Sequence, residues 1–172
     1  NTQIHAILEE YNLPYYFSKN IENEASKISK EIVKEKNRKD LRDTLTFTID
    51  PADAKDFDDA LSFKKLKNKN FEIGIHIADV THYVKENTLL DKEAKSRATS
   101  VYLSDRVVPM LPETLSNDLC SLNPNEDKNV FSVLVEIDSK SNIIKTEFTK
   151  SLIKSNERMS YEEAQFVLKN NK

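Results

Sequence analysis

Glycine is nearly absent from this chain: one residue, Gly74, in 172, against an average usage of about 7%. Turns must therefore fall to Pro, Asn, Asp and Ser. Cysteine is as scarce. The single thiol, Cys120, excludes an internal disulfide, fits a reducing, cytoplasmic setting and reads as a small buried hydrophobe. No apolar stretch is long enough for a membrane-spanning helix; Phe71-Glu72-Ile73-Gly74-Ile75-His76-Ile77 is short and interrupted. A charged-then-apolar leader is also lacking. Nor is there a surplus of basic charge. Twenty-six Lys and Arg against 29 Asp and Glu leave −3, with a pI near 5.7. A protein that grips nucleic acid over its whole surface carries a basic excess, because phosphate neutralisation drives affinity. Any nucleic-acid contact here belongs to one local site.

What is present suffices for a folded domain. Apolar residues make up 38% and charged residues 32%, with eight Phe and six Tyr, and a mean hydropathy of −0.62 marks a generously polar surface. That aromatic content and a clear periodicity exclude a disordered chain. Two parts are distinguishable. Residues 1–43 read as a helical connector, broken at Leu13-Pro14. Ile21, Ala25, Ile28, Ile32 and Val33 form a thin amphipathic stripe, and eight basic residues balance eight acidic ones. Residues 44–172 read as the main domain. The start at Asn1 rather than Met, and an end at Lys172 without a glycine cap, lead to the expectation of a piece of something longer.

From Asp43 the period changes to two. Leu45, Phe47 and Ile49 alternate with threonines as in a half-buried strand. Ala60–Phe63 and Phe71–Ala78 form a hairpin with a lysine-rich tip, for which a solvated turn is the simpler reading over phosphate contact. Phe71, Ile73, Ile75 and Ile77 share one of its faces, and His76 lies on the other. Thr88 with Asp91 starts a helix through about Ala98, and Ser160 with Glu163 forms a capping box for a helix over Tyr161–Leu168. Pro109 and Pro112 bracket an irregular passage from Arg106. A second hairpin spans Val130–Asp138 and Ile143–Ile153. The result is an α+β fold with a mixed or antiparallel sheet and flanking helices.

One segment demands a chemical account. Asp50-Pro51-Ala52-Asp53-Ala54-Lys55-Asp56-Phe57-Asp58-Asp59 holds five aspartates in ten residues. Two such charges 4 Å apart repel by about 4 kcal/mol at an effective dielectric near 20. A fold tolerates this when the groups splay into water, take up protons or share a cation. A loop folding back after Pro51 could aim Asp50, Asp56, Asp58 and Asp59 into one pocket. Hard oxygen ligands suit Mg²⁺ or Mn²⁺, and such ions support phosphoryl chemistry. An EF-hand is excluded, because counting from Asp56 puts Leu61 at the glycine position and Lys67 at the glutamate position. Asp56-Phe57-Asp58 also resembles the paired aspartates of dehalogenase-type phosphatases, but those directly follow a buried apolar strand. A plain Asp-rich loop of caps and turns is the bland alternative.

Thr48-Ile49-Asp50-Pro51-Ala52-Asp53-Ala54-Lys55-Asp56-Phe57-Asp58-Asp59-Ala60 resembles the signature of the ribonuclease II / ribonuclease R (RNB) family of 3′→5′ exoribonucleases. Further blocks resemble that family in the same order: 74–84; 97–102, 107–112 and 115–122; and Arg158-Met159-Ser160-Tyr161 with its helix. The likeness covers about residues 41–168 and is closest to the ribonuclease R branch. It implies an N-terminal portion of an RNB catalytic domain. Asp50, Asp56, Asp58 and Asp59 match the family's Mg²⁺-holding aspartates, with Asp58 and Asp59 taken as catalytic, and Mn²⁺ is an alternative ion. Tyr102 matches the tyrosine that packs on the 3′-terminal nucleotide. Asp53 and Lys55 match no catalytic position, and His76 and His82 are read as structural. The implied activity is hydrolysis of single-stranded RNA to nucleoside 5′-monophosphates, by a monomer with RNA-degradation or ribosome-associated partners. A non-catalytic RNA-binding or scaffold module and a metal-dependent phosphatase are the alternatives. The family's cold-shock, later catalytic and S1 parts have no counterpart in these residues, so this piece alone is expected to be weak or inactive.

Overall fold

The computed structural model describes residues 2–28, 37–104 and 106–170. Two helices, α1 (Thr2–Glu10) and α2 (Lys19–Ser26), precede the short strand β1 (Lys39–Asp40). Strands β2 (Leu45–Asp50), β3 (Asp59–Lys65) and β4 (Phe71–Ala78) follow, then helices α3 (Val80–Tyr83) and α4 (Leu89–Arg97). A two-stranded ribbon, β5 (Val101–Tyr102) with β6 (Val107–Val108), and a π-helical turn at Leu115–Leu119 lead to β7 (Asp127–Ile137) and β8 (Ile143–Lys154). The chain closes with β9 (Glu157–Ser160) and α5 (Tyr161–Asn170).

Seven strands form one sheet in the order β1-β8-β7-β4-β3-β2-β9. The central pairs are antiparallel, while both edge strands, β1 on β8 and β9 on β2, pair in parallel. The sheet is therefore mixed, as the α+β expectation allows. Strand β9 is an addition to the reading from sequence: four residues carry too little periodicity to announce a strand. Strand β6 likewise falls inside the passage from Arg106 to Pro112, which is not wholly irregular.

The period of two is correct, and the face it leaves open is the apolar one. Thr46, Thr48, Ser62, His76 and Ser132 point to the buried face, while Leu45, Leu61, Phe63, Ile75, Ile77 and Phe131 are exposed on the other. Strand register aligns Phe47, Leu61, Ile75, Val133 and Phe148 across five strands, and Phe148 is 79% exposed. Alternation alone does not say which face a sheet buries. Here helices and loops cover the small and polar side chains, and several of these are hydrogen-bonded while Thr48 Oγ1 is not. Thr46 Oγ1 donates to Thr44 O at 2.8 Å, and His76 bridges the Ser132 and Ser62 hydroxyls at 2.7 and 2.8 Å.

Above the covered face lies the main core, built from Phe57, Ala60, Ala78, Tyr83, Leu90, Leu111, Leu115, Leu119, Cys120, Leu122, Val130, Leu134 and Ile153. Ile21, Ala25 and Leu41 from the first 43 residues join the same cluster, with Ile28 packed against it. Ile32 and Val33 lie outside the described residues. A buried ion pair adds a second tie: Arg38 Nη2 sits 2.6 Å from Asp79 Oδ2, the side chains 3% and 0% exposed. Burial works to raise the Asp79 carboxyl, but hydrogen bonds from Thr81 and Arg38 and the Arg38 charge outweigh it and hold it below the usual range.

Both capping readings are met locally. Ser160 N donates to Glu163 Oε2 at 2.7 Å and Glu163 N donates to Ser160 Oγ at 3.2 Å, a reciprocal box. At α4, Asp91 N donates to Thr88 Oγ1, but the Asp91 carboxylate turns instead to Asn87 N at 2.8 Å. Asn12, Asn87 and Asn125, with Lys69, Ala98 and Ser141, take the left-handed positions that glycine would usually fill.

Candidate active site

The ten-residue acidic segment is the connection between β2 and β3. Asp50 closes β2 and Asp59 opens β3, so two of the aspartates stand on strand ends. Phe57 anchors the loop between them. Its ring is buried, its N–H donates to Ser121 Oγ at 3.0 Å, and its carbonyl accepts from Leu122 N at 2.9 Å. Ser121 Oγ donates back to Lys55 O at 2.9 Å, and Ala78 N donates to Asp58 O at 3.0 Å. With Phe57 turned inward, its neighbours Asp56 and Asp58 are left on the open side.

The acidic loop perturbs its own carboxylates. Burial raises the Asp50 carboxyl, and the charges of Asp59 and Asp56 add to it. Asp58 is open to water on one side, yet crowding by protein raises it, and Asp56, Asp59 and Asp50 push in the same direction. Asp50 and Asp58 thus each feel the charge of other aspartates singled out from sequence. Asp50 Oδ2 is buried without a hydrogen-bond partner. A buried carboxylate oxygen left unpaired, in a set made only of oxygen donors, fits a hard divalent cation. Among the described residues, no group of three or more His, Cys, Asp or Glu is drawn together tightly enough to hold an ion as it stands.

Tyr102 reaches the same place from the β5–β6 ribbon. Its side chain is 64% exposed, and its hydroxyl donates to Asp56 Oδ2 at 2.5 Å. That hydrogen bond, then burial, then the charges of Asp56 and Asp58, push the phenol up to about 12, so it stays a donor at neutral pH. Beside the pair opens a cleft of about 430 Å³, whose walls include Lys55, Arg106, Ser116 and Asn117 as well as Asp56 and Tyr102. Ser116 and Asn117 come from the π-helical turn, closed by Cys120 N on Leu115 O at 2.8 Å; such turns are frequent at functional sites. These four lining residues were not singled out from sequence as site residues. Lys55 sat inside the signature, Ser116 and Asn117 inside the 115–122 block without an assigned role, and Arg106 carries no local pattern that marks it.

Three other residues weighed for chemistry lie elsewhere. His76 is fully buried, and burial lowers its pKa to about 4, so it is a neutral bridge between two hydroxyls. His82 packs edge-on against Tyr83 with Nδ1 3.5 Å from Arg38 Nη2. Burial pushes the Cys120 thiol up to about 12, leaving it without thiolate reactivity.

The RNB domain matches residues 38–172. Ribonuclease R 1 of Lactococcus lactis is 48% identical over 158 residues, which is 91% of this chain and 19% of that protein. The chain therefore spans about a fifth of that relative's length. A Mycoplasma genitalium RNase R in complex with ribose-methylated single-stranded RNA superposes with a TM-score of 0.89 at 35% identity, over 99% of this chain and 27% of that one. Yeast Ssd1, described as a pseudonuclease, superposes with a TM-score of 0.73 at 25% identity, covering 81% of this chain and 18% of that one. By sequence and by fold, the chain belongs to the RNB domain family.

Proposed function

We propose that this chain supplies the carboxylate side of the hydrolytic centre of a 3′→5′ exoribonuclease that degrades single-stranded RNA to nucleoside 5′-monophosphates. The observation that supports it most is the hydrogen bond of Tyr102 to Asp56 at the wall of an open cleft, with Asp50, Asp58 and Asp59 carried by the same β2–β3 connection. Those four aspartates would hold Mg²⁺, or Mn²⁺ in its place. When bound, the ion would polarise the terminal phosphodiester and lower the pKa of an attacking water. The protein groups do the positioning. Tyr102 offers an exposed ring on which a terminal base can stack, worth about 1–3 kcal/mol per base and tolerant of sequence. Its protonated hydroxyl orients Asp56, while Lys55 and Arg106 bring positive charge to the wall of a cleft otherwise rich in carboxylates.

The likeness to a pseudonuclease favours a second reading, an RNA-binding module without turnover; retention of all four aspartates favours the enzyme. One assay separates them. The complete polypeptide is given a labelled oligoribonucleotide, the matching oligodeoxyribonucleotide and a phosphomonoester, with Mg²⁺. Shortening of the RNA alone, from its 3′ end, is the expected result. Asp58→Asn should lower turnover by roughly a thousandfold or more, because several kcal/mol of transition-state stabilisation depend on the ion's placement. RNA affinity should be largely unchanged. A variant that cleaves at near the native rate would remove Asp58 from the reaction.

A further inference from the structure

Arg158 stands 106 residues from Ala52 of the acidic loop in sequence and grips that loop in space. On β9 it pairs in parallel register with Thr48, two residues before the Asp50–Ser160 pair. Its Nη2 donates to Pro51 O at 2.9 Å and to Ala52 O at 2.7 Å. The same guanidinium lies 5.3 Å from the centre of the Phe57 ring. One side chain thus binds the entry of the loop through two carbonyls and leans on the ring that separates Asp56 from Asp58. The far half of the loop has other anchors, at Ser121, Leu122 and Ala78. The near half is tied to β9 by Arg158, with Ala54 packed against the core. Holding this pose has a cost, since Arg158 Nε is buried without a hydrogen-bond partner.

We propose that Arg158 is a positioning residue for the carboxylate cluster: by fixing Pro51 and Ala52 against Phe57 it sets where Asp50 stands relative to Asp56 and Asp58, and so the affinity for a divalent cation. The inference rests on the metal-binding reading above. Charge and geometry pull in opposite directions here, which makes the role testable. A cation near a metal site repels the ion, so removing a plain charge would tighten binding. Removing a clamp loosens binding, and lysine does not repair it, because an ammonium lacks the planar fork that meets two carbonyls and a ring at once.

The experiment titrates Mn²⁺ into the complete polypeptide, reading free ion by electron paramagnetic resonance, for the native protein, R158K and R158Q. Melting temperatures in chelator are recorded alongside, to separate ion affinity from loss of fold. The clamp requires both variants to bind Mn²⁺ roughly 10–100-fold more weakly, the usual scale for residues that orient metal ligands. R158K binding as tightly as native, or R158Q binding more tightly, overturns it while leaving the metal site intact. A native protein that takes up no Mn²⁺ overturns the metal reading and the clamp together. Should R158Q melt below the working temperature, R158K, which keeps the charge and the aliphatic stem, decides the matter alone.

Discussion

Gly74, the chain's one glycine, is required by crowding and not by backbone conformation. A Cβ at this position would collide with Ser62 Oγ and with the ring of His76. Those are members of the cross-sheet bridge Ser132–His76–Ser62, so Gly74 is small because a histidine lies flat beside it. Gly74→Ala should cost about 1–3 kcal/mol, the usual penalty for overpacking, measured by denaturant unfolding. The bridge also fixes a pH dependence. His76 titrates from 6.5 in the unfolded chain to about 4 in the fold, so the unfolded state binds its proton more readily. Stability contributed by neutral His76 is present above pH 6.5 and is lost as pH falls toward 4. The loss amounts to about 3 kcal/mol at 1.36 kcal/mol per pKa unit. His76→Gln should flatten this part of the pH–stability curve; a variant with the native slope would show that burial of the ring is not its cause.

At the scale of elements, the ribbon of β5 and β6 exists to carry Tyr102 over Asp56, and its two contributions can be separated. Tyr102→Phe keeps the ring and deletes the hydroxyl bond to Asp56, so the length of the final RNA product should stay native. Tyr102→Ala removes the stacking surface as well, about 1–3 kcal/mol of hold on the last base, and should change that length. An identical product ladder for all three proteins would exclude stacking. The elements themselves differed in how visible they were in the sequence. Long alternating strands, both capping sites and the Pro-bounded passage could be read because each rests on local chemistry: period, hydroxyl-to-amide bonds, a missing N–H. The acidic loop stood out for the same reason, as an uneconomical density of one charge. Strand β9 and the roles of the cleft walls could not be read: Arg158, Ser116 and Asn117 lay inside family-like blocks, but they and Arg106 acquire a role only through partners distant in sequence. The direction of the sheet's faces was hidden by a different cause. Burial of Thr, Ser and His against exposure of Ile and Phe reverses the usual association of hydrophobicity with the interior.

Across the whole molecule, that reversal leaves a broad apolar surface on one side of the sheet, with Leu45, Phe63, Ile75, Ile77, Phe131 and Phe148 all open to solvent. Exposed patches of this kind bind apolar probes and promote association. The 172-residue chain on its own should therefore enhance the fluorescence of an environment-sensitive naphthalene dye. The double substitution of Phe63 and Ile75 by Thr should reduce that signal while moving stability by no more than about 0.5 kcal/mol each, as surface changes do. A quenched dye in the native chain would mean that the face is closed. The parallel pairing of β9 with β2 has a consequence for biosynthesis. Translation delivers Asp50 more than a hundred residues before Arg158, so during synthesis the aspartate-bearing hairpin emerges with one arm untethered, waiting for the strand that will secure it. A ribosome that stops short of residue 158 releases a chain whose carboxylates are all present and not yet in register.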